Sequence, residues 1–363
     1  MRRFPFASLV ALALPLALTG CGGSSAPEAT VEPASAPDSV AGSEAPAVEV
    51  NRELQGKVRI NGSSTVYPIS EAAASQFNQR YPNVSVNVGI KGTGGGFELF
   101  TKGETDISDA SRPIKAAEME RAAENDIRFI ELPVAYDGLT IVVHKDNDWV
   151  DRLTVEEVKQ IFTADGGAKK WSDVRDGWPD ETIQIFSPGT DSGTFDYFKE
   201  VVAGKTGSMR DDMSTSEDDN VLVTGVSGSP DAIGFFGYAY YDENKEKLRA
   251  VPVVNSDGDA VTPSAQTIED GTYEPFSRPL FIYVNADAIR RPEVKQFVSF
   301  YLDNAPELAA ETKYVALPTE VYEHARGNAR SRKAGTHYVA ADGTKRGGAV
   351  TDVFTEANRN DGS

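Results

Sequence analysis

The sequence predicts an α/β fold in two domains behind an exported, tethered N-terminus, and three observations predict it. Short alternating apolar runs are each followed by a loop rich in Gly, Ser and Thr, then by apolar residues at helical spacing; this order occurs three times. At 363 residues and 40% hydrophobic, the chain has the length of about two domains, each able to bury a core. Residues 1–54 lack that regularity, being apolar at first and then rich in Ala, Pro, Ser and Glu.

Arg2 and Arg3 precede an apolar run from Phe4 to Leu18. That run is shorter than the roughly 20 residues of a spanning helix and has the layout of an export signal. Leu18-Thr19-Gly20-Cys21 resembles the bacterial lipobox, which implies a signal over residues 1–20 and a lipidated Cys21. Acyl chains there would hold the protein to a membrane without a spanning helix. Residues 21–54 have few large apolar groups to offset the entropy of ordering, so they read as a flexible tether.

In the first unit, Val58 and Ile60 form a strand that runs into Asn61-Gly62-Ser63-Ser64-Thr65. Pro68 suits a first helical turn, Ile69, Ala73, Phe77 and Tyr81 recur at helical spacing, and Pro82 ends the helix. The second unit has a strand of Val84, Val86, Val88 and Ile90, then Gly92-Thr93-Gly94-Gly95-Gly96 as a loop. Phe97, Leu99 and Phe100 open a short helix after it. The third unit comes much later, with Ile183 and Ile185 in a strand and Ser187 to Thr194 as its loop. Phe195, Phe198 and Val202 begin the helix. A helix N-terminus exposes unpaired N–H groups and about half a positive charge. Three such ends around a common centre would hold an anion without any net positive charge.

Lys and Arg number 36 against 55 Asp and Glu, for a net charge of −19. Nucleic acid is thereby disfavoured as a partner, because phosphate counterions are displaced by a basic face. The single cysteine forms no intrachain disulfide, and His144, His324 and His337 offer no zinc-ligand spacing, so no metal or cofactor is expected. Nucleotide and nucleophile motifs fail in detail. Phe97 stands where GxGxxG starting at Gly92 needs glycine, Lys199 stands where a P-loop ending at Gly204-Lys205-Thr206 needs one, and Gly189 to Gly193 is not GxSxG. The acidic run Glu217-Asp218-Asp219-Asn220 reads as a helix start.

Taken together, the chain resembles the phosphate-binding subunit of the bacterial phosphate ABC importer (PstS type), especially its cyanobacterial and lipoprotein branch. The resemblance is carried by Gly62-Ser63-Ser64-Thr65-Val66-Tyr67-Pro68, Gly92-Thr93-Gly94-Gly95-Gly96, Asp106 to Pro113, Gly189 to Phe198, Ser216 to Val223, Phe235 to Tyr241 and Ser277 to Val284. It implies a two-lobed periplasmic-binding-protein (type II) fold with the ligand between the lobes. Residues 55–137 would form the first part of lobe 1, 138–260 lobe 2, 261–325 the return to lobe 1, and 326–363 a C-terminal extension. Crossovers would fall near Tyr136-Asp137-Gly138 and within Val254–Pro275.

The resemblance further implies phosphate ligands from Ser64, Thr65, Val66, Thr93, Ser111, Ser192, Gly193 and Thr194. Relatives place an arginine where this chain has Pro188, and Arg112 is the candidate to replace it, its planar guanidinium suiting a bidentate phosphate contact. They also place a proton-accepting aspartate in the stretch matching Ser111-Arg112; Asp109, Asp191 and Asp219 are the candidates here. The expected partners are inorganic phosphate, an ABC permease with its ATPase, and a membrane reached through the lipid, with the protein acting as a monomer. No catalysis is expected. The alternatives are a phosphatase or other hydrolase using Ser192, and a binder or sensor of another oxyanion.

Overall fold

The computed structural model describes residues 50–361 apart from Asp191 and Lys205. The signal, Cys21, residues 21–49 of the tether and the candidate acceptor Asp191 therefore lie outside the described residues. Strand β1 (Gly56–Gly62) buries Val58 and Ile60 and leaves Lys57 and Arg59 exposed, as its alternation requires. Helix α1 (Tyr67–Arg80) carries proline in its first turn and buries Ile69, Ala73 and Phe77. Strand β2 (Val84–Ile90) follows at the expected place.

The glycine run expected as a loop is instead the first turns of α2 (Gly92–Thr101). The reason is packing. A Cβ on Gly96 would lie 2.6 Å from the Gly62 Cα and 2.9 Å from the Asn61 carbonyl oxygen, so glycine lets this helix lie directly on β1. Strand β3 (Ile107–Ala110), helix α3 (Ala116–Glu124) and the long strand β4 (Phe129–His144) complete the first passage.

Beyond β4 come α4 (Val155–Phe162), α5 (Trp171–Val174), β5 (Gln184–Pro188) and α6 (Gly193–Val202). Then follow β6 (Ser214–Ser216), α7 (Asp219–Ser227), β7 (Ala232–Gly237), α8 (Tyr238–Asn244) and β8 (Leu248–Ala250). The acidic run does open a helix, with Asp218 as the N-cap accepting from the Asn220 N–H. A hairpin of β9 (Val253–Val254) and β10 (Ala260–Val261) and the short α9 (Ala265–Glu269) lead to the return strand β11 (Ser277–Asn285). The chain ends through α10 (Pro292–Asp303), α11 (Ala305–Glu311), α12 (Thr319–Ser331) and α13 (Val350–Val353).

Among the described residues, nine strands form one curled sheet in the order β2-β1-β3-β11-β4-β7-β5-β6, with β8 also on β4. In lobe 1, β1 runs parallel to β2 and β3; in lobe 2, β5 runs parallel to β6 and β7. Strand β4 joins them. Its residues up to Gly138 pair with β11, and those from Leu139 to Val143 pair with β7. The partner change falls at the Tyr136–Gly138 stretch singled out in the sequence. Phe276 stacks on Phe198 at 5.7 Å and Pro275 accepts the Tyr197 hydroxyl, so both belong to lobe 2, and β11 starts only at Ser277.

Each lobe has its own aromatic centre. Phe77 meets Phe297 of α10 edge-on at 5.3 Å in lobe 1, and Phe198 stacks on Phe235 at 3.7 Å in lobe 2. A fully buried Phe contributes about 1.5–3 kcal/mol of transfer free energy. The described part of the C-terminal extension, residues 326–361, packs into the core. Helix α12 runs straight through position 326, and Tyr338, Val350, Val353 and Phe354 are buried in the core. Buried Glu131 of β4 accepts from the Tyr283 hydroxyl, the Thr336 hydroxyl and the His337 N–H at 2.5–2.7 Å, tying the last segment to the sheet.

Candidate functional site

Parallel strands in each lobe bring their C-terminal ends to one edge, where α/β sheets gather their binding loops. The two edges face each other. The cleft between them is lined from lobe 1 by Ser64, Tyr67 and Ile90, which lie just after β1 and at the end of β2. From lobe 2 it is lined by Ser192, Gly193 and Thr194 after β5, Glu217 and Asp219 after β6, and Gly237 at the end of β7. Asp137 of β4 and residues 312–314 close its back.

Beside the cleft Thr65 of lobe 1 meets Gly193 of lobe 2. The Thr65 Oγ1 lies 3.4 Å from the Gly193 carbonyl oxygen, and a Cβ on Gly193 would stand 2.7 Å from the Thr65 Cα. Thr65 is held from three sides: its N–H donates to Ser63 Oγ at 3.2 Å, its carbonyl accepts from the Tyr314 hydroxyl at 2.7 Å, and its Oγ1 accepts from Arg278 Nη2 at 3.1 Å. Ser64 Oγ donates to Asp196 Oδ2 of the opposite lobe at 3.4 Å. Val66 is buried as the residue before α1, and Ser192 caps α6 by accepting from the Thr194 N–H. The α1 and α6 N-termini thus converge on one place, two of the three helix ends that the anion reading called for.

The other sequence-derived residues divide. Thr93 and Ser111 sit together, with their hydroxyls 3.0 Å apart and the Ser111 N–H donating to Thr93 Oγ1. They lie where α2 begins and β3 ends, beside the lining residues but not among them. Arg112 does not reach the cleft. Its guanidinium donates two bonds to Glu118, at 2.8 and 2.9 Å, and lies 5.4 Å from the Phe97 ring centroid. The turn through Pro113 brings the first turn of α3 back over the arginine, so a local carboxylate claims it. The guanidinium expected at the site is thus engaged with Glu118 in this structure.

Sequence reasoning missed two cations here: Lys313, which lines the cleft, and Arg278 at the start of β11, which holds Thr65. The Arg278 Nε donates to Asp137 Oδ2 at 3.2 Å and its plane lies over the Tyr197 ring at 3.6 Å. It therefore touches both lobes and the strand that joins them. Burial pushes the Asp137 carboxyl up, and Arg278 opposes that shift. A cation immediately ahead of the apolar run from Leu280 to Val284 was the available signal, but sequence does not say that it meets Thr65.

The candidate acceptors also separate. Asp109 is sealed beneath α1, donated to by Ser70 Oγ at 3.0 Å, with Oδ2 unpartnered, and burial raises its carboxyl to about 7. Asp219 lines the cleft, and its carboxyl is raised to about 6 by partial burial and by neighbouring Asp218 and Glu217. The histidines are engaged elsewhere: His144 with Asp146, His324 with the Phe354 carbonyl and His337 with Glu131. Among the described residues there is no grouping of side chains able to hold a metal ion, and no helix is long and apolar enough to cross a membrane.

A family model described as a PBP superfamily domain matches residues 40–305. The protein SphX of Synechococcus elongatus is 49% identical over 82% of this chain and 88% of its own. The phosphate-binding protein PstS of Staphylococcus haemolyticus is 40% identical over 75% of this chain and 84% of its own. Among solved structures, one described as a possible phosphate binding protein from Planctomyces limnophilus superposes with a TM-score of 0.75 at 44% identity, covering 77% of this chain and 99% of that one.

Proposed function

The chain belongs to the PBP superfamily, in the company of SphX and PstS, and on that footing we propose that it captures inorganic phosphate outside the cytoplasm and delivers it to an ABC permease. The observation that carries this reading is the meeting of Thr65, Gly193 and Arg278 between two helix N-termini. Oriented N–H groups and hydroxyls there suit a small tetrahedral oxyanion, and the guanidinium adds one charge-assisted contact. Ser64, Thr65, Val66, Ser192, Gly193 and Thr194 are the proposed ligands, with Thr93 and Ser111 as a paired hydroxyl set at the lobe 1 edge. Arg278 takes the part first assigned to Arg112.

Nothing in this reading makes or breaks a covalent bond. The Ser192 hydroxyl is occupied as a helix cap, and each histidine has a partner away from it. Lobes hinged on β4 would close on the anion, and the permease with its ATPase would recognise the closed form. A lipid on Cys21 would keep the protein at the membrane. Isothermal titration of the purified protein tests the core of the proposal. Phosphate binding at micromolar or tighter affinity is expected; a protein that ignored phosphate would overturn it.

A further inference from the structure

The segment after α11 connects the two lobes within three residues. Tyr314 donates its hydroxyl to the Thr65 carbonyl at 2.7 Å, and Val315 exchanges backbone hydrogen bonds with Tyr136 of β4 at 2.8 and 3.0 Å, so the segment belongs to lobe 1. Lys313 reaches the other lobe. Its ammonium forms an ion pair with Glu243 and lies 5.9 Å from the Tyr240 ring centroid, both on α8. That helix follows β7 and packs on α7 and β8 of lobe 2. The pair therefore crosses between the lobes, one residue away from the side chain that holds the Thr65 loop.

Two features set this pair apart from an ordinary surface ion pair. Lys313 lines the cleft, together with Asp137, Glu217 and Asp219. It also occupies the residue after the α11 C-cap with a φ of 65°, a left-handed conformation that glycine usually supplies. Glycine there would end the helix with less strain but could not reach Glu243. Elsewhere the lobes touch through Ser64 with Asp196 and Thr65 with Gly193, and these contacts use the proposed phosphate ligands themselves. The Lys313–Glu243 pair joins the lobes without engaging any of them.

Resting on the phosphate reading above, we propose that Lys313 and Glu243 form a clasp between the lobes that sets how long phosphate is held. The pair favours the arrangement in which the Thr65 and Gly193 loops meet, and so raises the fraction of protein able to retain the anion. Lys313 is thereby a positioning residue. Its charge acts through Glu243 on lobe closure, with no contact to phosphate. Both side chains are partly exposed, at 35% and 53%, which limits the gain to a few-fold and makes it sensitive to salt.

The test is calorimetry and stopped-flow fluorescence of inorganic phosphate binding to the full chain, Lys313→Met, Glu243→Gln and the double variant. Each single variant is expected to weaken phosphate by about two- to fivefold, through faster dissociation with little change in the association rate. The double variant should be no weaker than either single one, since all three lack the same pair. Lys313→Arg keeps the charge and should bind within about twofold of the unaltered protein. The difference between single variants and unaltered protein should fade at about 0.5 M sodium chloride. If Glu243→Gln instead tightens phosphate, Lys313 is a cation that Glu243 withholds from the anion, and the clasp is overturned. Losses that add in the double variant, or unchanged affinity in both single variants, overturn it as well while phosphate binding stands. If the unaltered protein ignores phosphate, the phosphate reading fails and the clasp fails with it.

Discussion

The chain contains the tripeptide Ser-Arg-Pro twice, at Ser111-Arg112-Pro113 and at Ser277-Arg278-Pro279. The two arginines have opposite fates. Arg112 follows β3 and is clamped by Glu118, six residues further on. Arg278 opens β11, has no such local acid, and meets Asp137 beside it on β4, Thr65 of lobe 1 and the face of Tyr197 in lobe 2. A guanidinium goes to the carboxylate that is nearest in space, because leaving either charge buried and unpaired costs several kcal/mol. The tripeptide is blind to that choice.

Removing Arg278 should break the comparison most strongly. Arg278→Ala deletes the cleft's charge-assisted donor and is expected to weaken phosphate by roughly tenfold to a hundredfold. It also strands Asp137, which is 2% exposed, so urea unfolding should show a loss of about 3–5 kcal/mol, less whatever protonation of Asp137 relieves. Titration calorimetry reads the first effect and the denaturation midpoint the second. Phosphate affinity within twofold of the unaltered protein would remove Arg278 from the site.

The Thr65–Gly193 contact sharpens the picture next. With a Cβ at position 193 only 2.7 Å from the Thr65 Cα, Gly193→Ala cannot keep the two loops together. Affinity should fall by about tenfold through lost closure, with little change in stability, since the rest of α6 is untouched. Small-angle scattering with saturating phosphate should show a larger radius of gyration for the variant. An equal radius would mean that the loops yield without opening the lobes.

Arg112→Ala should do the reverse of Arg278→Ala. Phosphate affinity is expected to stay within about twofold, because the guanidinium is spent on Glu118. Stability should drop by about 1–3 kcal/mol, since Glu118 is 5% exposed and loses two of its three donated bonds, keeping the Lys115 N–H. A large affinity loss without a stability loss would restore Arg112 as a ligand.

These contrasts also mark what was legible in the sequence. Period-two and period-3.6 patterns placed β1, α1 and β2 because each is half buried, and burial writes its period into the residue order. The Gly92–Gly96 run misled because glycine serves loops and close helix packing alike. Ser64 and Ser192 were readable as loop residues ahead of helices, whereas Gly193 and Thr194, read as the end of that loop, are already the first residues of α6. Arg278 was not readable as a site residue, since its meeting with Thr65 spans 213 positions and only the sheet order β3-β11-β4 brings them together. The last segment was opaque for a related reason. Thr336 to Val339 are buried in an unbroken run and Phe354 apart from it, with no period, by a path that wraps back onto β4 and β11.

Asp109 extends the comparison to a carboxylate with no arginine at all. Glu118 and Asp137 each have a guanidinium, whereas Asp109 has the Ser70 hydroxyl on one oxygen and nothing on the other. Burial therefore dominates, and its carboxyl rises to about 7 from the ordinary value near 3.8. Between those values the folded protein binds a proton that the unfolded chain has released, so stability declines as pH rises. The contribution of Asp109 should be fully present below about pH 4 and lost by the time the pH has passed about 7. Asp109→Asn keeps the Ser70 contact without the charge. Its unfolding free energy should fall less steeply between pH 4.5 and 7.5 than that of the unaltered protein, with phosphate affinity unchanged. Parallel pH profiles for the two proteins would show that Asp109 is ionised in the folded state despite its burial.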